Sequence, residues 1–180
     1  MRILECRISA CLTGVAASSQ DLTVSTVAVR ESTEGKVSGF VLHPRLADDS
    51  HLIGDLPLSR VLLADDSRYP WVILVPRRPA VREIFELASE DRVGLLDESC
   101  RIGASLMRIF DGEKLNIAAL GNLVPQLHLH HVVRAQDDPA WPGPVWGHSP
   151  GIPYLPGPLA ERLQILRAEF GVDPVDRAKP

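Results

Sequence analysis

Three of the chain's six histidines, His128, His130 and His131, fall within four positions, in the run Gln126-Leu127-His128-Leu129-His130-His131-Val132-Val133-Arg134. Side chains on a strand alternate between its two faces. A strand over Leu123 to Val133 therefore turns Gln126, His128, His130 and Arg134 one way, and Leu127, Leu129, His131 and Val133 the other. One face is polar and able to handle protons; the other is mostly apolar and belongs against a core. Such a strand must sit in a sheet that is covered on one side and lines a cleft on the other.

A neutral imidazole is a nucleophile once a hydrogen bond holds its second nitrogen. Residues two apart on a strand share a face with Cβ atoms roughly 7 Å apart, so His128 and His130 reach the same phosphate. Arg134, farther along, would add a guanidinium for phosphate oxygens. Paired histidines also suit a transition metal. No Cys or carboxylate stands at ligand spacing, so nucleophilic use is preferred and no metal is assigned. His131, on the apolar side, reads as a core histidine. His43, His51 and His148 show no partner pattern.

The 180 residues, 45% of them hydrophobic, suffice for one domain with a real core. A net charge of −4 argues against a nucleic-acid partner, because a phosphate-backbone binder presents a basic face. No apolar run approaches the roughly 18 residues of a membrane span, so no membrane partner is expected. Cys6, Cys11 and Cys100 are odd in number and irregular in spacing, which is not a disulfide framework; a cytoplasmic location fits. Cys100, among apolar residues of a helix, reads as a buried thiol.

Residues 1–38 are rich in Ser, Thr, Ala and Val and hold no aromatic residue. Glu5 and Arg7 interrupt the front of a weakly apolar run, unlike a secretory signal, and a disordered extension is the preferred reading. Residues 39–180 read as a single domain. Val61–Ala64, the turn cluster Asp65-Asp66-Ser67, and Trp71–Val75 predict a hairpin. A short helix is expected over Val81–Leu87. A long one follows from an N-cap at Ser89, with Val93, Leu96, Cys100, Gly103, Met107 and Phe110 as its buried stripe. Leu115–Leu120 predicts a strand. A Pro/Trp-rich segment over 137–158 and a helix over Leu159–Phe170 close the chain. The order implies an α+β fold with an antiparallel sheet, a long packing helix and a C-terminal helix.

The run Gly121-Asn122-Leu123-Val124-Pro125-Gln126-Leu127-His128-Leu129-His130, followed by Val132-Val133-Arg134, resembles the signature of the histidine-triad (HIT) family. The likeness extends over roughly 40–138: Val61–Pro76 resembles the family's nucleotide-holding hairpin, and the long helix follows in order. The segment Asp138–Gly147 resembles a bacterial subgroup. The sequence departs from the pattern in places. Gln126 replaces the first triad histidine, Trp71 stands where a hairpin-strand histidine is frequent, Asn122 where a turn Gln is common, and Leu123 where Ser or Thr is frequent. The loop between Leu115 and Gly121 is shorter than usual.

The resemblance implies a nucleotide hydrolase or nucleotidyl transferase, acting on a phosphoramidate or dinucleotide through a nucleotidyl-histidine intermediate. His128 would be the nucleophile, His130 would contact the phosphate or leaving group, and Gln126 would orient His128 in part through its backbone carbonyl. Asp65, with Asp66 as the alternative, would hold the ribose. Asn122 and Arg134 would complete the nucleotide site. No cofactor is called for, the partner is a small nucleotide, and a homodimer is expected. The rival readings are a nucleotide-binding module with little catalysis and a metal-dependent hydrolase. Trp141 and Trp146 either fold over the cleft or pack at a subunit contact.

Overall fold

The computed structural model describes residues 39–173; the expected N-terminal extension, with Cys6 and Cys11, lies outside the described residues. A five-stranded antiparallel sheet has the order β1-β2-β3-β5-β4. Its strands are β1 (Ser50–Asp55), β2 (Ser59–Ala64), β3 (Trp71–Pro76), β4 (Lys114–Ala119) and β5 (Leu129–Arg134). The helices are α1 (Pro44–Asp48), α2 (Ser89–Ile109) and α3 (Pro156–Phe170). Among the described residues no helix is long and apolar enough to cross a membrane.

The predicted hairpin is β2–β3, whose valine, leucine and isoleucine side chains alternate between two cores. Val61, Leu63, Val72 and Leu74 face α2 and α3, joined by Leu129 and Val133 from β5. Leu62, Ala64, Ile73 and Val75 face the other side with Leu46 and Val124. Apolar burial on both faces contributes roughly 1.5–3 kcal/mol per large side chain. Strand β1 escaped the sequence reading because Gly54 breaks its pattern: the β1–β2 register shifts between Leu52 and Gly54. A Cβ at Gly54 would lie 2.7 Å from Val172 Cγ2, so only glycine lets the chain after α3 approach. Arg167 of α3 donates to the carbonyls of Ile53 and Leu52, both at 2.9 Å, satisfying the bulged backbone.

Helix α2 has the predicted length, and Gly103, Met107 and Phe110 of the predicted stripe meet the core, but its N-terminal half turns a different face inward. Leu95, Ser99, Ile102, Gly103 and Leu106 are buried, whereas Val93 and Leu96 are 60% and 62% exposed. Cys100 is also exposed, not a buried thiol. Two apolar stripes run along this helix, and hydrophobic spacing alone does not say which one meets the sheet. Glu98 decides the matter. Its buried carboxylate accepts from the backbone N–H groups of Leu58 (2.7 Å) and Ser59 (3.1 Å), tying α2 to the start of β2. The cap position is Ala88, one residue before the expected Ser89, and makes no side-chain cap bond. The helix expected over Val81–Leu87 is a single 3-10 turn, Ile84–Glu86.

The histidine strand is shorter than predicted. Ladder pairing with β4 runs from Lys114↔Arg134 to Ala119↔Leu129 and stops there. Residues 120–128 have no strand partner, and Pro125 has no N–H to offer a ladder. Leu127 N donates instead to Val81 O (2.9 Å). The inward and outward alternation nevertheless persists through Leu127, which is buried in the α2 core beside Leu129 and Val133.

Candidate active site

The three clustered histidines meet three different fates, and their hydrogen bonds define each ring's protonation. The Nδ1 of His128 lies 2.7 Å from the carbonyl oxygen of Gln126. A carbonyl only accepts, so Nδ1 carries the hydrogen and Nε2 keeps its lone pair. At His130 the partner is the Trp71 indole N–H, which donates to Nδ1 at 2.9 Å. An indole nitrogen only donates, so here the lone pair sits on Nδ1 and the hydrogen on Nε2. The two rings stand edge to face with centroids 4.9 Å apart. His131 points to the opposite side of the sheet: its Nδ1 faces Leu129 O at 3.2 Å and its Nε2 accepts from the Ser99 hydroxyl at 2.7 Å.

Burial is the main cause that pushes His130 down to about 3, with the neighbouring His128 and His131 adding to it. Burial likewise takes His131 down to about 4, against the opposing pull of the Leu129 carbonyl. Both rings are therefore neutral at ordinary pH.

His128 and His130 open on a cavity of about 520 Å³. Leu46, Ile73 and Val124 form an apolar wall, Trp71 and Trp146 an aromatic one, and Asp65 and Asn122 part of the rim. Asp65 ends the first hairpin strand as the sequence implied. Burial favours its neutral form, but the Tyr154 backbone N–H and His51 outweigh this and hold its carboxyl below the usual range. Both act on Oδ1, at 3.0 Å each, which leaves Oδ2 without a protein partner among the described residues. Asp66, the alternative, is engaged: it forms a two-bond ion pair with Arg68 at 2.8 and 2.6 Å. Arg68 in turn donates to Ser149 Oγ (2.6 Å) and Pro150 O (2.9 Å), clamping the C-terminal segment over the cavity.

Two predicted site residues are placed elsewhere. The Gln126 amide turns away from the histidines: its Oε1 accepts from His43 N and its Nε2 donates to Val41 O, both at 2.9 Å. Only its carbonyl touches the site. Arg134 is 1% exposed and lies outside the cavity, correcting its expected role toward phosphate. It pairs with Asp138 at 2.7 and 2.9 Å, donates to Asn116 at 2.8 Å and lies over the Trp141 ring. The ladder carries Arg134 past the cavity, to where β4 begins, and Asp138 waits there. Arg77 and Arg78 are also structural, bonded to the carbonyls of Leu56 and Pro57 and to Asp91. Trp146 folds over the cleft, its ring centroid 5.8 Å from those of both Trp71 and His130. Asp65 is supported by His51, which showed no partner pattern in the sequence, and by the Tyr154 backbone; neither β1 nor the return of residues 152–154 to this strand was foreseen. Among the described residues no group of three His, Cys, Asp or Glu side chains is arranged to hold a metal ion.

The profile of the HIT domain matches residues 45–137. A histidine triad protein from Marinobacter aquaeolei is 52% identical, with a TM-score of 0.72 over 73% of this chain and 96% of that one. One from Bradyrhizobium japonicum is 45% identical, with a TM-score of 0.71 over 73% of this chain and 98% of its own. One from Sinorhizobium meliloti is 39% identical, with a TM-score of 0.72 over 74% and 98%. A search of curated proteins finds no match.

Proposed function

The chain belongs to the HIT domain family, and from that premise we propose that it is a nucleotide hydrolase or nucleotidyl transferase working through a nucleotidyl-histidine intermediate on His128. The observation that carries this reading is the Gln126 carbonyl on His128 Nδ1, which leaves the Nε2 lone pair to attack from the wall of the cavity. An attacking imidazole gains positive charge, and a carbonyl oxygen on its remaining N–H stabilises that charge. Gln126 stands at the first triad position and acts through its backbone, so the loss of an imidazole there does not remove the orienting group. The free oxygen of Asp65 is set to accept from ribose hydroxyls. The apolar wall of Leu46 and Ile73 suits a base, and Asn122 stands at the rim where phosphate would enter.

The test is adduct trapping. Wild-type protein mixed with a nucleoside 5′-phosphate ester and quenched in mild base should gain the mass of one nucleotidyl group, absent in a folded His128→Ala variant. A wild type that never forms the adduct, yet shows nucleotide-dependent thermal stabilisation, would establish the binding module with little catalysis.

We also propose a homodimer. Val93, Leu96 and Cys100 form an exposed stripe on α2. Ile117, 48% exposed, lies on edge strand β4 beside His131, which Ser99 of α2 covers. Stripe and edge thus share one flank of the sheet, and an apolar flank beside an unpaired edge is a surface that a second copy would cover. Light scattering should give twice the chain mass, and Leu96→Glu should return the monomer.

A further inference from the structure

We infer that Trp71 is a positioning residue that keeps His130 a hydrogen-bond donor and never an acid, so that the site prefers nucleotides whose leaving group departs as a stable anion over those that expel an amine. This rests on the proposed function, and its first half is testable without it.

Trp71 and His130 share a face: on β3 and β5, Trp71 pairs with Val132 and Ile73 pairs with His130, which sets the indole diagonally across from the imidazole. The indole N–H donates to Nδ1 and has no lone pair to accept with. Protonating His130 would set two N–H groups against each other. Burial opposes the charge as well, and the titratable groups that act on the ring, His128 and His131, are not carboxylates. Trp146 closes another side, edge-on at 5.8 Å, and its own Nε1 is buried with no partner among the described residues. The reacting face thus offers N–H donors and no proton that can be surrendered. Of the three carboxyls that line the cavity, Asp65 and Asp66 are held below the usual carboxylate range and Asp49 is paired with Arg45 at 3.3 Å. For Asp66, burial works the other way and the bonds from Arg68 outweigh it.

In the forward step the His128 Nε2 lone pair forms a bond to the α-phosphorus as the bond to the leaving oxygen breaks. The electron pair goes out on that oxygen. A phosphate, sulfate, nucleotide or aryloxide carries the pair without a proton and is stabilised by N–H donors. In the second step a water oxygen bonds to phosphorus, the N–P pair returns to Nε2, and the water proton passes to solvent. Breaking a P–N bond instead would place the pair on a nitrogen too basic to depart unless protonated first, and His130 does not supply that proton. A histidine at position 71, which both accepts and donates, would lift the restriction.

Two measurements on the full chain decide this. Long-range ¹H–¹⁵N spectra of the histidine rings, assigned with His130→Gln, should show wild-type His130 as the Nε2–H form, unchanged from pH 7 to pH 5. In Trp71→Phe that pattern should be lost, with appearance of the Nδ1–H form or of protonation. A wild-type Nδ1–H pattern, or a Trp71→Phe spectrum like wild type, overturns the inference. If neither Trp71 variant folds, the wild-type spectrum alone decides the first half. In turnover assays, adenosine and guanosine 5′-(p-nitrophenyl phosphate) should exceed the matching alkylamine 5′-phosphoramidates in kcat/KM by at least ~100-fold, the usual scale of general-acid assistance. Trp71→His should narrow that ratio by about tenfold. Equal wild-type rates, or a ratio unmoved in a folded Trp71→His, overturn the leaving-group preference. No turnover of any substrate removes the proposed function and this preference with it, while the spectra still decide the Trp71–His130 arrangement.

Discussion

His130 and His131 are adjacent residues of one type, buried to a similar depth, and β5 sends them to opposite faces of the sheet. On the α2 side His131 has both nitrogens occupied, by Ser99 and by the Leu129 carbonyl. On the cavity side His128 and His130 each have one nitrogen occupied, by the Gln126 carbonyl and by Trp71. Burial alone therefore does not separate a histidine with both nitrogens occupied from one that keeps a nitrogen free toward the cavity. The number of unoccupied ring nitrogens, and which tautomer the occupied one enforces, does separate them.

The sharpest way to break this contrast is His128→Ala. If the unoccupied Nε2 is the nucleophile, kcat/KM should fall by at least ~10⁴-fold, about 5 kcal/mol of transition-state stabilisation. Stability by urea unfolding should fall only modestly, by about 1–3 kcal/mol, for the loss of a buried ring and its bond to the Gln126 carbonyl. Near-normal turnover in the variant would leave the cavity side no more reactive than the α2 side.

Arg134→Ala is the next largest effect and points the other way. The Arg134–Asp138 pair is buried, with side chains 2% and 7% exposed, and removing one partner strands the other. Stability should fall by about 3–5 kcal/mol with KM for nucleotide unchanged, as read by urea unfolding and by steady-state kinetics. A raised KM at unchanged stability would return Arg134 to the phosphate role that alternation assigned it.

Arg134 also marks the limit of what the sequence could tell. Period-two alternation placed Leu127, Leu129, His131 and Val133 against the core and His128 and His130 on the cleft side correctly, because a half-covered sheet enforces that pattern. It treated distance along the strand as free, and so kept Arg134 with the histidines. The hydrogen-bonded ladder, which pairs Lys114 with Arg134, and the acceptor at Asp138 carry it away. The first half of the α2 stripe, Val93, Leu96 and Cys100, failed for a related reason: two apolar stripes were present there, and a buried carboxylate, Glu98, chose between them. Asp65 came from the family resemblance, and the structure places it at the cavity. Its supports, His51 and Tyr154, come from segments distant in sequence whose convergence no local pattern encodes.

Acid should expose the histidine contrast as a stability slope. His131 is lowered from 6.5 to about 4 in the folded chain. As pH falls the unfolded chain takes the proton first, so this contribution is complete above about pH 6.5 and is lost toward pH 4. It is worth about 3 kcal/mol over that window. His130, pushed down further, acts with the same sign. Urea midpoints should therefore drop between pH 7 and pH 4.5. An unchanged midpoint would mean that neither ring is held neutral by the fold.

Ser99→Ala is the smallest effect and the most discriminating. It removes one hydroxyl from the buried side, leaving the His131 Nε2 lone pair unpartnered, at a cost of about 1–2 kcal/mol. No atom on the cavity side changes, so kcat/KM should stay at its wild-type value. The hydroxyl also stabilises the neutral ring by donating to Nε2, so its loss makes that nitrogen easier to protonate. The gap in urea midpoint between pH 7 and pH 4.5 should then shrink only slightly relative to wild type, because burial still lowers both His131 and His130. If the gap is unchanged, Ser99 is only packing and His131 is kept neutral by burial alone. If activity falls with stability, the two faces of β5 are coupled, and the division between a saturated histidine and a reactive one is not as local as their hydrogen bonds make it.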